Sequence, residues 1–395
     1  MSYTRDEVDF LRAHDTEITE ATVDLQLTRK SLISDTQMLR RRFGEHARAV
    51  TELATARRTA VGKLPSNWLV CHDSAQQATA PQVAAVRSKR LAERLGQGAR
   101  IHDVTCSIGT ELPALTAAGL AATGSDIDPV RVRMAAVNTA SAVAVADALA
   151  PPLRSGGVDA IIADPARRAG GRRITNPKQL LPPLPNLLDA CAGIPVAVKC
   201  APGLDFSDWN GLVSLVSVDG GVKEACLYSP SLGNGEMREA VVLSTSDAGD
   251  TVVDRITDLY PDGGDASIAG PPGQYIIDPD GAIVRAGLVR HYAVRENLWM
   301  LDDRIAHLTG DRVPVGKTGF PFIEQVPLKR LRTALRDHGC GTLEILVRGV
   351  DIDPDKLRRS LKLTGDRPMT VVITRIGSSG VALVCGQRTT GIDRN

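Results

Sequence analysis

A chain of 395 residues corresponds to two to four domains of roughly 100 to 200 residues each, and its 43% hydrophobic content supplies a sizeable aliphatic core; a single small module and global disorder are both excluded. The formal net charge of +1 hides a regional bias: residues 1–100 carry 16 basic and 12 acidic groups, 101–325 carry 18 and 27, and 326–395 carry 13 and 7. An acidic centre therefore lies between basic flanks, so overall neutrality does not exclude a polyanionic partner.

No apolar run reaches the roughly 18 residues of a membrane span, and the opening MSYTRDEVDF lacks the apolar stretch of a secretion signal. The chain reads as cytoplasmic, with no membrane partner. Its seven cysteines are scattered without a CxxC pair, so they read as small buried hydrophobes, with no disulfide and no metal site expected.

In chain order, residues 1–98 read as a helical region. Ile18, Leu25, Leu32 and Leu39 recur every seventh position, with Ala21 and Phe43 near the same stripe, and Arg40, Arg41 and Arg42 flank it. Gly62 to Trp68 breaks the pattern, and a further helix is expected from about Pro81 to Leu95, where proline suits a first turn and Val83, Val86 and Leu91 form a stripe. From residue 99 to 247 short apolar runs alternate with helical stretches, the pattern of a parallel sheet built from βαβ units. The runs are ARIHDV, LAATGSD, SAVAVAD, VDAIIAD, IPVAVKC and VSLVSVD, and four of the six end in aspartate. The segment KEACLYSPSLGNGEMREAVVLST then reads as an antiparallel hairpin. Residues 270–325 read as a small connecting α+β unit, with a short strand, a turn and a helix in QYIIDPDGAIVRAGLV. Residues 326–395 read as a second α+β module: Leu328, Leu331 and Leu335 line a helix that Gly339 stops, TLEILVRG is a strand, Asp353-Pro354 opens a helix, and MTVVITRIG and VALVCGQR are strands.

Regular aspartates at strand ends carry chemical information, because open α/β sheets bind ligands at the carboxyl ends of their strands. Around the first end, Asp103, Thr105 and Gly109 sit in a loop that turns into a helix near Glu111; backbone at Gly109 allows close approach, and a helix N-terminus offers free N–H groups. Asp126 ends the second run, where a carboxylate can accept two ribose hydroxyls, and Asp128-Pro129 reads as a helix cap and start. Asp147 ends the third run and Asp164 the fourth. The GxGxxG fingerprint is absent, since only Gly109 remains. These acids suit a ligand with a ribose, an adenine amine and a positive centre better than a polyphosphate.

DVTCSIGTE, TGSDIDPVRVRMAAVN, ADAL and IIADPARR together resemble the motif series of class I S-adenosylmethionine-dependent methyltransferases, over about residues 99–247. The whole chain further resembles a bacterial family that adds an N-terminal helical region and a C-terminal THUMP-like domain, matched here by LKLTGDRPMTVVITRIG. The resemblance implies an α/β fold with a Rossmann-like, mostly parallel sheet and a C-terminal antiparallel hairpin, and S-adenosyl-L-methionine as cofactor. It also implies that Asp103, Thr105 and Gly109 surround the methionine part, that Asp126 with Ile127 meets the ribose side, and that Asp147 and Ala148 hold the adenine. Ser107 and Thr110 depart from the family's glycine loop.

The fourth strand end carries the candidates for methyl transfer: Asp164, Pro165, Arg167 and, from the fifth run, Lys199. Amino-methylating enzymes of this class resemble one another in an Asp/Asn-Pro-Pro-aromatic motif; Arg167 stands at the aromatic position, which weakens an adenine-N6 assignment. Asp164 can accept a hydrogen bond or proton from a base, and Arg167 can hold a phosphate or carbonyl. Arg167, Arg168, Arg172 and Arg173, with Lys178, form an acid-free stretch that fits an RNA backbone or a solvated loop. The expected function is methyl transfer to a base of RNA (tRNA or rRNA). Three alternatives stay open: a non-catalytic RNA-binding or assembly protein retaining the fold, a pyrimidine-C5 methyltransferase using Cys200, and a nucleotide-dependent oxidoreductase, which the missing glycine fingerprint disfavours.

Overall fold

The computed structural model describes residues 3–153, 156–166, 168–169, 172–173, 176–246 and 249–392. They divide into two compact units, Met1–Ser214 with Glu224–Gly235, and Leu215–Lys223 with Glu236–Asn395.

The first unit begins with helices α1 (Arg5–Ala13), α2 (Asp15–Thr22), α3 (Leu32–Phe43) and α4 (Ala47–Thr59). A capping box starts α1: Glu7 N–H donates to the Thr4 hydroxyl at 3.2 Å, and Thr4 N–H donates to the Glu7 carboxylate at 2.7 Å. The seven-residue spacing does not make one long helix. The chain breaks between α2 and α3, where Leu27 takes φ +49° and its N–H donates to Asp35 at 2.8 Å. Ile18, Leu25, Leu39 and Phe43 still meet in one core cluster, joined by Ile108, Val130 and Met134, whereas Leu32 is 41% exposed. Then come α5 (His72–Gln77) and α6 (Pro81–Leu95), the latter with the expected bounds and with proline in its first turn.

Next are β1 (Arg100–Asp103), α7 (Leu112–Ala117), β2 (Ala121–Asp126), α8 (Pro129–Asn138), β3 (Ala142–Val145) and β4 (Ala160–Ala163). A two-residue pair, β5 (Arg168–Ala169) with β6 (Arg172–Arg173), precedes α9 (Leu184–Ala190) and β7 (Val196–Cys200). The order β7-β4-β1-β2-β3 is parallel throughout, with Ile101 opposite both Ala122 and Ala160, and Ile161 opposite Val196. Every residue of β4 and β7 is buried, as strands covered on both faces require. All five carboxyl ends therefore point to one edge.

An antiparallel hairpin closes the sheet, but its partners differ from those the sequence suggested. It joins β8 (Leu212–Val218) to β9 (Gly221–Tyr228), and β8 lies between β9 and β10 (Arg238–Thr245) in the strand order. The cause is the Asp219-Gly220 turn, with φ +48° and +76°, the two left-handed residues that the tightest hairpins need. β9 runs antiparallel to β7, Val198 facing Leu227, and β10 pairs with β11 (Thr251–Thr257), Glu239 facing Thr257.

The second unit also contains β12 (Tyr275–Ile277), α10 (Gly281–Arg285), α11 (Val289–Glu296), β13 (Trp299–Asp302), β14 (Ile305–Gly310) and β15 (Thr318–Pro327). It ends with α12 (Leu331–Asp337), β16 (Cys340–Val347), α13 (Pro354–Leu361), β17 (Arg367–Ile376), β18 (Ser379–Cys385) and β19 (Thr389–Thr390). Its sheet runs β13-β14-β12-β15-β18-β17-β16, mostly antiparallel, with β16 parallel to β17. Leu331, Leu335 and Leu361 of the two helices pack on Leu343, Val371, Ile373 and Val384 of the sheet. The strand and helix expected at 274–288 are present as β12 and α10; α11 and the β13–β15 strands had no sequence counterpart. No helix among the described residues is long and apolar enough to cross a membrane.

Candidate active site at the carboxyl edge of the parallel sheet

The loop after β1 packs against the ends of two neighbours. Cys106 N–H donates to the Ser125 carbonyl at 2.8 Å and Ser107 N–H to Asp126 Oδ2 at 2.9 Å, so the loop is laid across β2. A Cβ on Gly124 would sit 2.7 Å from that of Cys106, and so glycine is what permits this approach. Gly109 takes φ +91°, and a side chain there would also meet Thr139 Cγ2 at 2.6 Å. Ser107, where the family resemblance would place glycine, nevertheless takes φ +52°, and its hydroxyl accepts from Arg131 Nη1 at 3.1 Å. The loop keeps a glycine-type conformation at a cost on the order of 1 kcal/mol.

Asp103 is 3% exposed, accepts Thr105 N–H at 2.9 Å, and has its carboxyl pushed up to about 7 by burial, an effect Glu111 and Asp164 reinforce and the Thr105 bond and Lys199 oppose. Thr105 Oγ1 in turn accepts the backbone N–H of Asp164 at 2.6 Å, tying the ends of β1 and β4 together. Asp126 accepts Ser107 N–H and, at 2.9 Å, Asp128 N–H; burial raises its carboxyl above the ordinary range. Ile127 beside it is 69% exposed, an apolar side chain presented at the strand tips. Asp128 caps α8, accepting from Val130 N–H at 2.8 Å. Beyond β3, Ala146 N–H donates to the Asp126 carbonyl at 3.1 Å, which sets Asp147 and Ala148 next to this corner; Asp147 is exposed and accepts Leu149 N–H at 2.9 Å, while Ala148 is buried.

At the β4 and β7 ends, Pro165 is buried and Asp164 keeps 26% of its side chain exposed. Lys199, 3% exposed, places Nζ 2.8 Å from Asp164 Oδ2, 3.1 Å from Glu111 Oε1 and against Thr79 Oγ1. Glu111 also takes Arg87 Nε at 3.1 Å, and Arg87 Nη1 reaches Glu224 Oε1 at 2.5 Å. Burial alone would lower the Lys199 ammonium, but Asp164, Glu111 and Glu224 hold it above its ordinary value; burial alone would raise Glu111, but Arg87 and Lys199 hold it far below the usual carboxylate range. Arg87, Glu111 and Glu224 were not expected from sequence. The one available signal was Arg87 itself, which lies four residues from both Val83 and Leu91, inside the apolar stripe of α6. His102 was missed too: buried, with its pKa lowered by burial, it bridges the hydroxyls of Thr123 at 2.8 Å and Ser125 at 2.9 Å, fastening β1 to β2.

The edge thus gathers Asp103, Thr105, Gly109, Asp126, Ile127, Asp147, Ala148, Asp164, Pro165 and Lys199. Arg167 lies outside the described residues, and of Arg168, Arg172 and Arg173 the described part is the backbone of β5 and β6. Cys200 is fully buried in β7.

Residues 318–387 match the THUMP domain-like family. Two Mycobacterium tuberculosis proteins, from strains CDC 1551 / Oshkosh and ATCC 25618 / H37Rv, are each described as an uncharacterized S-adenosylmethionine-dependent methyltransferase; each is 45% identical to this chain over 367 residues, covering 88% of it and 98% of the relative. A solved structure from Porphyromonas gingivalis W83, described as a candidate methyltransferase, is similar in fold with a TM-score of 0.69 at 17% identity, covering 98% of this chain and 99% of that one. The acid-lined edge of a parallel α/β sheet and these full-length likenesses lead to one conclusion: the chain belongs to the S-adenosylmethionine-dependent methyltransferases and carries a THUMP-like domain.

Proposed function

We propose that this methyltransferase modifies a base of RNA, tRNA or rRNA, and that its cofactor lies along the β1–β3 ends. The residues there fit S-adenosyl-L-methionine: Asp126 offers a carboxylate to the ribose hydroxyls, the exposed Ile127 an apolar face to the adenine, and Asp147 with Ala148 an edge for its amine. Asp103, Thr105 and the left-handed turns at Ser107 and Gly109 form the wall for the methionine part. Bound there, the cofactor supplies a methyl group already activated by a positive sulfur, so the protein's task is chiefly alignment.

Asp164 and Pro165 then border the methyl acceptor, with Lys199 behind Asp164. The arginine run Arg167, Arg168, Arg172 and Arg173, which follows directly in sequence, supplies phosphate contacts. The observation that carries the RNA reading is the THUMP-like module, whose α12 region exposes Lys329, Arg330 and Arg332 with no ion pair to them among the described residues. Phosphate contact is the expected mode, since the module has few aromatics for base stacking. Incubating the protein with methyl-labelled S-adenosylmethionine and RNA from a strain lacking the gene tests this: RNase-sensitive label is expected, and label confined to protein would overturn it.

A further inference from the structure

Five charged side chains alternate in sign through the first unit: Glu224, Arg87, Glu111, Lys199 and Asp164. The first four are buried, with 5% or less of each side chain exposed, and Asp164 alone reaches the surface of the candidate site. Burying so many charges costs several kcal/mol per ion before pairing, and apolar residues of similar volume would often serve stability as well. A network that ends on a substrate-facing group has another use.

Its geometry says which. Three oxygens, from Thr79, Glu111 and Asp164, surround the Lys199 ammonium, one for each of its N–H bonds. Lys199 has no donor left for a substrate. Asp164 is held by Lys199 at its carboxylate and by Thr105 Oγ1 at its backbone N–H. Glu111 in turn is fixed by Arg87 through both oxygens, at 3.1 and 3.3 Å, and sits where it can set how Lys199 divides its charge between two carboxylates.

We infer that Glu111 is a positioning residue: acting through Lys199, it holds the Asp164 carboxylate in one orientation, so that the site presents a hydrogen-bond acceptor to the methyl-accepting group. The methyl acceptor is therefore a group that carries a hydrogen, an exocyclic amine or a neutral ring N–H: as its nitrogen gains the methyl and the methyl–sulfur bond breaks, its proton passes to Asp164 or to solvent. This inference rests on the placement of the methyl acceptor at Asp164 proposed above.

The test uses the full chain, labelled S-adenosylmethionine and a whole-cell extract from a strain lacking the gene, with label counted in RNA, protein and small-molecule fractions. Glu111→Gln should lower total incorporation about 10- to 100-fold, and the dissociation constant for S-adenosylhomocysteine, read by isothermal titration, should change less than threefold. Asp164→Asn should lower incorporation at least as far, and the double variant should lose no more than Asp164→Asn alone, because Glu111 acts through Asp164. Thr79→Val, which removes an uncharged partner of Lys199, should cause a smaller loss in the same direction with thermal unfolding close to wild type. It keeps the inference testable if Glu111→Gln does not fold. Full incorporation by folded Glu111→Gln or by Thr79→Val, parallel losses of rate and cofactor affinity, or additive losses in the double variant would each overturn it. The fraction that carries wild-type label separately tests the RNA reading, and no label in any fraction counts against both.

Discussion

The two sheets handle charge in opposite ways. The five parallel strands of the first unit, β7-β4-β1-β2-β3, all end in the same direction, so Asp103, Asp126 and Asp164 with Lys199 arrive at one edge, although they are up to 96 positions apart in sequence. In the second unit most neighbouring strands are antiparallel, their ends alternate between two edges, and its cations stand exposed on α12 and α13 instead. Convergence suits chemistry on one small ligand, and dispersion suits a polyanion with repeating phosphates. A single chain can carry both because parallel and antiparallel pairing direct side chains differently.

Perturbing the β1–β3 ends of the first region should affect cofactor binding and leave RNA affinity largely untouched. The largest effect on ligand binding is expected from Asp126→Ala, which should weaken S-adenosylmethionine binding by more than about 100-fold, or 2.7 kcal/mol, in isothermal titration; unchanged affinity would remove Asp126 from the cofactor site. Lys199→Met removes one of the two cations paired with buried Glu111, leaving Arg87, and takes a cation from Asp164; it should cost up to about 3–5 kcal/mol in denaturant unfolding. A loss under 1 kcal/mol would mean that the network is looser than its distances.

Asp103 gives a pH signature. Its folded carboxyl stands at about 7, above the ordinary 3.8, so its contribution to stability is present below pH 4 and is lost as pH rises through 7. Glu111, depressed by Arg87 and Lys199, acts the other way, stabilising above the ordinary carboxylate range and losing that contribution as pH falls through its lowered pKa. The difference in unfolding free energy between wild type and Asp103→Asn isolates the first effect: wild type should lose stability relative to the variant between pH 4 and 7. A flat difference would place Asp103 in a more solvated setting.

The smallest effect belongs to the second region. Replacing Lys329, Arg330 and Arg332 together by Gln should lower RNA affinity roughly tenfold at physiological salt and reduce the slope of log affinity against log salt by about 2, as loss of three phosphate contacts requires. Cofactor affinity should not move. An equal loss in both would break the division of labour between the two sheets.

What could be read from sequence follows the same line. Strands β1 to β4 were legible because each is a short apolar run ending near an acid, β7 because IPVAVKC is an apolar run closed by Lys199-Cys200, and α6 because Pro81 and the Val83-Leu91 stripe mark its start and face. The Glu224-Arg87-Glu111 part of the network was not, since its members pair across 24 and 137 positions and no local pattern links them. The hairpin was misassigned because alternating β9 and β10 looked like partners, when the decisive signal was the Asp219-Gly220 turn before them. The heptad in the N-terminal region correctly marked Ile18, Leu25 and Leu39 as core, yet missed the break at Leu27, where a left-handed residue is held by Asp35.

We propose that an acid-edged cofactor site and a basic THUMP-like module together methylate RNA. Mass spectrometry of nucleosides from RNA of a strain lacking the gene, complemented with wild type or Asp126→Ala, tests it most directly. One methylated nucleoside should disappear with the gene, return with wild type and stay absent with the variant; a nucleoside profile identical across all three strains would overturn the RNA reading.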